Sequence, residues 1–375
     1  MYKEIFLDAP NIGELEKVYL NRAIDSGFVS TVGPLVSEFE RKCAEYLNAA
    51  KAVSTSNGTS ALHISLHELG IGKGDEVIVP ALTFIASANP VVYTGATPVL
   101  VDVDIDTWNI SPEAIEEAIT ERTKAIIPVH LYGNPCNMDE ISRIAKRHDL
   151  YVIEDATESM GALYRGRYTG TLGDLGCISF NGNKTITTGG GGLVVGNDAA
   201  RLEHIKFLIN QARDSHRDIE IYHSEVGFNY RLTNLQAALG LAQLERLEGF
   251  LEKKKAFNSV YKEKLKGLNA LRFQKEHEEA VSSHWFSCII TEDPALRHDL
   301  QIKLKERGIP TRRIFTPLNE FPPYRGCRFV DRGNAGYIYE RGLCLPGSTL
   351  NEVEDIEYVC SALTELYHEG NFICK

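Results

Sequence analysis

Between Lys51 and Val195 the chain alternates short apolar runs with amphipathic segments, and few architectures accept that pattern. The runs are Lys51-Ala52-Val53, Glu76-Val77-Ile78-Val79, Pro98-Val99-Leu100-Val101, Ala125-Ile126-Ile127-Pro128-Val129, Tyr151-Val152-Ile153, Gly176-Cys177-Ile178-Ser179-Phe180 and Leu193-Val194-Val195. Each is short enough for a strand and bounded by turn residues, so each predicts a buried strand. Helical patterns with recognisable ends lie between several of them. Leu62, Leu66 and Leu69 stop at Gly70, and Ser111-Pro112-Glu113 opens a segment carrying Ile115, Ala118 and Ile119. Val36, Phe39, Cys43 and Leu47 are also at helical spacing. The alternation predicts an α/β fold built on one mixed, mainly parallel sheet flanked by helices.

From about residue 232 the pattern changes to a long helical stretch, LTNLQAALGLAQLERLEGFLEKKK, whose charged end predicts an exposed connector. Beyond it come a strand candidate at Trp285 to Ile290, a helix ending near Gly308 and a final helix carrying Val353, Ile356, Cys360 and Leu363. The expected organisation is a large domain over residues 1–250, including the N-terminal segment, and a smaller C-terminal α/β domain over 251–375. A chain of 375 residues that is 43% hydrophobic is long enough for two cores.

The formal net charge of -11 is spread along the chain, which argues against general nucleic-acid binding and requires any polyanionic ligand to find a local basic site. The eight cysteines are scattered with no C-x-x-C pair, so neither a zinc site nor a disulfide framework is expected, and reduced thiols in a cytoplasmic protein are. The opening MYKEIFLDAP turns polar early, and the most apolar stretch, Val77 to Val103, is broken by Pro, Gly and Asp. No export signal or membrane span is expected.

Four segments carry chemistry. Ser56-Asn57-Gly58-Thr59-Ser60-Ala61-Leu62 follows a strand and opens a helix, so its free N–H groups can cradle a phosphate; taken alone it reads first as a simple Asn/Thr helix cap. Asp155 directly follows the strand at Val152-Ile153, at the edge where open α/β sheets place ligands. A protonated pyridine nitrogen would partner it, as would a helix N-terminus or a structural cation. Lys184 sits on a short loop ahead of Gly189-Gly190-Gly191-Gly192. An amine desolvated there can attack an aldehyde and form a Schiff base. A P-loop needs its glycines before the lysine, and here they follow it. Finally, Arg231 in Gly227-Phe228-Asn229-Tyr230-Arg231 offers a planar fork suited to diphosphate, or to an ordinary salt bridge.

Together these stretches, with NGTSALHISL, GDEVIVPALTFIASANPVVYTGATPVLVDVD, KAIIPVHLYGN, VIEDATESMGA, SFNGNKTITTGGGG and GFNYRLTNLQAALGLAQLE, resemble the DegT/DnrJ/EryC1/StrS family of pyridoxal-5′-phosphate (PLP)-dependent nucleotide-sugar aminotransferases. The resemblance covers essentially the whole chain and implies the aspartate-aminotransferase-like architecture, PLP fold type I. It implies that Lys184 carries the cofactor and moves protons, that Asp155 pairs with the pyridine nitrogen, that Glu158 lies near the ring oxygen and that Phe84 stacks on the ring. Gly58, Thr59 and Ser179 would hold the phosphate, joined by Asn229 from a second subunit of a homodimer. Arg231 would meet the nucleotide diphosphate across the same interface, and Arg312-Arg313-Ile314-Phe315-Thr316-Pro317-Leu318 resembles a substrate-side loop, in which Arg313, with Asn319 next after it, would touch the substrate. Two positions depart from the family pattern: Asn319, where many relatives have His, and Gly190, where many have Glu.

The implied reaction is transfer of an amino group from L-glutamate to C4 of a nucleotide-linked 4-keto-6-deoxyhexose in surface-polysaccharide synthesis. The Asn-Gly-Asn before Lys184 leans toward UDP-linked N-acetylhexosamines, while ATPVLVD and VHLYG are equally like GDP-perosamine synthases. A 3-keto sugar is a further alternative substrate. A sugar 3-dehydratase of this fold would replace the lysine. A non-catalytic regulator would show damage at Lys184, Asp155 or the phosphate cradle, and all three are intact.

Overall fold

The computed structural model describes residues 4–214 and 221–369; Cys374 lies outside the described residues. All seven apolar runs form strands: β1 (Lys51–Thr55), β2 (Glu76–Pro80), β3 (Thr97–Val101), β4 (Thr123–Ile126), β5 (Tyr151–Asp155), β6 (Leu175–Ser179) and β7 (Gly192–Gly196). They belong to one eight-stranded sheet, in the order β1-β7-β6-β5-β4-β2-β3, closed at its far edge by a short strand from late in the chain, Phe329–Val330. All neighbours pair in parallel except at β7, which runs against both β1 and β6. β1 and β6 therefore point the same way.

That topology sets the position of the site. Thr55 and Ser179 both pair with Gly192, and Asp155 pairs with Cys177, so the carboxyl ends of β1, β5 and β6 lie along one sheet edge. Gly192 is required there. A Cβ on it would stand 2.5 Å from the Asn57 backbone, so the glycine run lets β7 pass under the turn that opens the next helix.

Helices cover the sheet. α1 (Glu14–Asp25), α2 (Pro34–Leu47) and α3 (Gly58–Glu68) contribute Ala23, Leu35, Phe39, Cys43, Leu62 and Ile64 to the cores. The segment expected as one long helix is two, α4 (Asn234–Glu245) and α5 (Leu247–Lys264). The break is at Arg246, whose guanidinium is drawn to the Asn11 carbonyl (3.0 Å), Asn11 Oδ1 (2.7 Å) and the buried Glu16 carboxylate (2.7 Å). Helical periodicity alone does not register that side-chain anchor.

The second region has a four-stranded antiparallel sheet, β8 (Leu271–Phe273), β9 (Cys288–Thr291), β10 (Arg312–Arg313) and β12 (Gly342–Cys344), ordered β8-β9-β12-β10; β11 is the Phe329–Val330 strand of the large sheet. The strand expected from Trp285 begins only at Cys288, and Trp285 and Phe286 turn their buried rings toward Tyr132. Phe257 and Tyr261 of α5, Leu296, Leu300 and Leu304 of α6 (Pro294–Glu306), and Ile356, Val359 and Leu363 of α7 (Val353–Glu369) form its core. The chain start belongs to this core too: Ile5 packs into it, and Phe6 exchanges hydrogen bonds with Asn351 at 2.9 and 2.7 Å.

Candidate active site

The site grows from the sheet edge. Asn57 caps α3, its Oδ1 accepting the Ser60 N–H at 2.8 Å. The N–H groups of Gly58 and Thr59 in the first turn have no carbonyl four residues back within the helix, so they and the helix dipole are available to an anion. A Cβ at Gly58 would sit 3.0 Å from both Ser179 Cβ and Thr157 Cγ2. Absence of a side chain brings the helix start close to the end of β6.

Two adjacent carboxylates end β5 on opposite faces, as strand geometry requires. Glu154 is structural: its Oε1 accepts the N–H groups of Leu172 (2.6 Å) and Gly173 (2.7 Å), and its Oε2 accepts Gly170 N–H at 2.8 Å. His130 completes it. Cys136 N–H donates to His130 Nδ1 at 3.0 Å, so Nε2 carries the proton and donates to Glu154 at 2.9 Å. Asp155 faces the cavity instead. Ser87 Oγ donates to its Oδ2 at 2.6 Å, and Thr157 N–H to its Oδ1 at 3.2 Å.

Lys184 lies opposite these groups on the loop after β6, its Nζ 4.0 Å from the centre of the Trp285 ring. The indole N–H donates to the Asn183 carbonyl at 2.8 Å, which fixes the ring against the lysine loop. Burial pushes the Lys184 amine below the usual lysine range, against the opposing pull of Glu158 and Asp155; Arg312 adds to the lowering. Burial likewise pushes Glu158 up to about 7, opposed by Lys184 and by the Tyr132 N–H, which donates to it at 2.8 Å.

A cavity of about 320 Å³ joins Gly58, Thr59, Phe84, Asp155, Glu158, Ser179 and Lys184. The small sheet and its neighbours complete it with Trp285, Arg312 and Phe315. Phe84, 54% exposed, stands at the mouth with its ring 5.7 Å from that of Phe315. Gly190 also lines the cavity, and a Cβ there would meet nothing nearer than Gln236 Nε2 at 3.9 Å.

Four expected residues lie elsewhere. Asn229 is exposed, bridging Asn210 by backbone, and Arg231 pairs its backbone with Thr55; neither lines the cavity of its own chain. Arg313, expected on the substrate side, faces away. Its guanidinium stacks 4.0 Å from the Tyr339 ring centre and donates to the Tyr339 carbonyl at 3.3 Å. Alternation along β10 gives the cavity Arg312 instead. Asn319 lies outside the cavity, its amide donating to Glu320 Oε1 at 3.3 Å. Among the described residues no cluster of three metal-ligating side chains occurs, the seven cysteines are free, and no helix is long and apolar enough to cross a membrane.

A desolvated amine, a fixed carboxylate with room for a ring nitrogen, an anion cradle at a helix start and aromatic faces form the donor set that PLP requires, and the residues fit it. The molecule is in this sense a PLP-dependent transferase of fold type I. Residues 10–364 match the model of the DegT/DnrJ/EryC1/StrS aminotransferase family. The chain belongs to that family, and it is a PLP-dependent sugar aminotransferase. It is 41% identical over 360 residues to the GDP-perosamine synthase of Escherichia coli O157:H7, covering 96% of this chain and 98% of that one. Identity to the GDP-perosamine synthase of Caulobacter vibrioides is 43% over 366 residues, with the same coverage. In structure it resembles Spr1654 from Streptococcus pneumoniae in its PLP form, with a TM-score of 0.93 at 27% identity over 98% of this chain and 99% of that one.

The sequence reading missed Ser87, Thr157 and Trp285, and within the substrate-side loop 312–318 it singled out Arg313 where Arg312 and Phe315 line the cavity. Ser87 had a local signal, since it lies one short turn beyond Phe84. Trp285 had none.

Proposed function

We propose that this protein transfers the amino group of L-glutamate to C4 of a GDP-linked 4-keto-6-deoxyhexose, as a step toward a surface polysaccharide. The observation that carries the reading is a burial-depressed Lys184 amine facing Asp155 in one cavity, in a chain more than 40% identical to two proteins named GDP-perosamine synthase. Those names favour GDP over the UDP-linked N-acetylhexosamine toward which the lysine loop leans.

When bound, PLP supplies an aldehyde to carry the amino group and a ring that absorbs electrons from the substrate carbon. The rest falls to side chains of this protein. Lys184, neutral more readily than an ordinary lysine, has the lone pair needed to hold the aldehyde, and when released it moves the proton at the amine-bearing carbon. Asp155, anchored by Ser87 and Thr157, would present its carboxylate to the pyridine nitrogen. Gly58 and Thr59 would bind the phosphate with Ser179 beside them, and Phe84 would cover the ring. Glu158, raised to about 7 by burial, would be the residue able to share a proton with the ring oxygen. Trp285 and Phe315 keep water from the lysine. Asn229 and Arg231, outside their own cavity, serve a second subunit's phosphate and diphosphate in a homodimer that works in the cytoplasm.

Incubation with PLP, L-glutamate and a panel of GDP-, UDP- and dTDP-4-keto-6-deoxy sugars tests this, with product mass and C4 configuration as the readout. Amination of the GDP sugar is expected. A product from the UDP-linked N-acetyl sugar alone would return the assignment to that branch, and amination of none by PLP-loaded protein would break the reading.

A further inference from the structure

Arg312 has an unusual combination of partners. Its Nη1 donates to Asp8 Oδ2 at 2.9 Å, while its Nε and Nη2 are buried without a hydrogen-bond partner among the described residues. The guanidinium lies 4.6 Å from the Phe286 ring centre and 5.7 Å from that of Trp285. Stacked on these rings, the group can form in-plane bonds only along its edges. One edge is engaged by Asp8. The other, Nε with Nη2, is the pair of parallel donors that binds a carboxylate bidentately.

Buried N–H donors of a cation are costly when unpaired, so the open edge implies an anion during function. Arg312 lines the same cavity as Lys184 and Asp155. Its charge acts on both Lys184 and Glu158. The anchor is tied to the lysine loop as well, because Asn183 Nδ2 donates to the same Asp8 oxygen at 3.2 Å. Asp8 therefore joins the guanidinium to the residue immediately before Lys184.

We propose that the Nε/Nη2 edge of Arg312 receives a carboxylate of the amino donor, and that Asp8 is the positioning residue that presents this edge. The inference rests on the aminotransferase reading with glutamate as donor. Asp8 already neutralises one charge of the site, so a single carboxylate fits it better than a nucleotide diphosphate. The rings of Trp285, Phe286 and Phe315 beside it suit a short aliphatic chain. Arg312 thus sets donor specificity, while Arg313, one residue on, has no part in it.

The test is titration calorimetry of the PLP-loaded protein with glutarate, a dicarboxylate without an amino group, and with glutaramide as the uncharged control. Bound PLP is measured by absorbance in every variant. Arg312→Gln should weaken glutarate binding by about 30-fold with PLP retained, as expected for loss of two charge-assisted hydrogen bonds. Arg312→Lys, which keeps the charge but lacks the fork, should lose about 10-fold. Asp8→Asn should raise KM for glutamate more than it lowers kcat, and Asp8→Glu should restore part of the loss.

Unchanged glutarate affinity in both Arg312 variants would overturn the proposal. So would loss of PLP in parallel with loss of glutarate from Arg312→Lys, which marks a structural role. A defect confined to the half-reaction with the keto sugar would also overturn it, by giving the edge to the nucleotide. Glutarate binding requires no turnover, so a protein that aminates no sugar but binds glutarate through Arg312 would refute the sugar reading and retain this one.

Discussion

The large sheet and the small sheet face the same cavity with different chemistry. From the large sheet come a helix start, two carboxyl groups and a lysine, all within a few residues of the ends of β1, β5 and β6. From the small sheet and its neighbouring loops come aromatic faces and a guanidinium, held by stacking and by Asp8 from the chain start. The difference separates two tasks. On the proposed reading, fixed backbone amides and strand-end side chains would hold a cofactor in one pose, whereas stacked rings and a half-engaged fork would accept a ligand that comes and goes.

Lys184→Ala breaks the large-sheet side most completely. Turnover should fall by at least about three orders of magnitude, with loss of the visible absorbance of lysine-bound PLP. Transamination at a normal rate would overturn the assignment. Gly58→Ala is milder. Its new methyl stands 3.0 Å from Ser179 and Thr157, and PLP affinity, followed by fluorescence titration, should weaken by about 10- to 100-fold while the thermal midpoint changes little. An unaltered affinity would show that the cradle lies elsewhere.

The smallest expected effect concerns Glu158, at the seam between the regions, where Tyr132 donates its N–H to the carboxylate and stacks on Phe315. Burial raises this carboxyl to about 7 from an ordinary value of 4.5. The folded protein therefore holds a proton in that window which the unfolded chain has released, so the contribution is fully present below pH 4.5 and lost as pH rises through about 7. In the cofactor-free protein, stability should decline by no more than about 1.4 kcal/mol per pH unit across the window. Glu158→Gln should flatten the decline in denaturant titrations at pH 5, 6 and 7. An equal slope in both proteins would assign the proton to another group.

The two regions also differ in how far their residues announce themselves. Asp155 and Lys184 were legible because one ends an apolar strand and the other lies on the short loop after the next, and strand ends in an open α/β sheet converge on one edge whatever the rest of the chain does. Gly58 and Thr59 were legible as a helix opening. Arg312 was not, because choosing between two neighbouring arginines depends on the facing of a two-residue strand, and no periodicity can be read from two residues. Trp285 looked like the first residue of a strand, but its ring is committed to Lys184 and Asn183, more than a hundred positions earlier. The break at Arg246 escaped detection for a similar reason, since its cause is a contact with Asn11 and Glu16 near the chain start.

The short strand Phe329–Val330, paired in parallel with β3, has a consequence for the birth of the molecule. During synthesis β3 emerges more than two hundred residues before its neighbour, so the edge of the large sheet stays open while nearly all the remaining chain is made. An exposed strand edge is a template for wrong pairing. The sheet that carries Asp155 is completed only after β9 and β10 of the second region have left the ribosome. Folding of the two regions is thereby tied to a common endpoint, and a nascent chain stalled before residue 329 should be captured by chaperones with its β3 edge still unpaired.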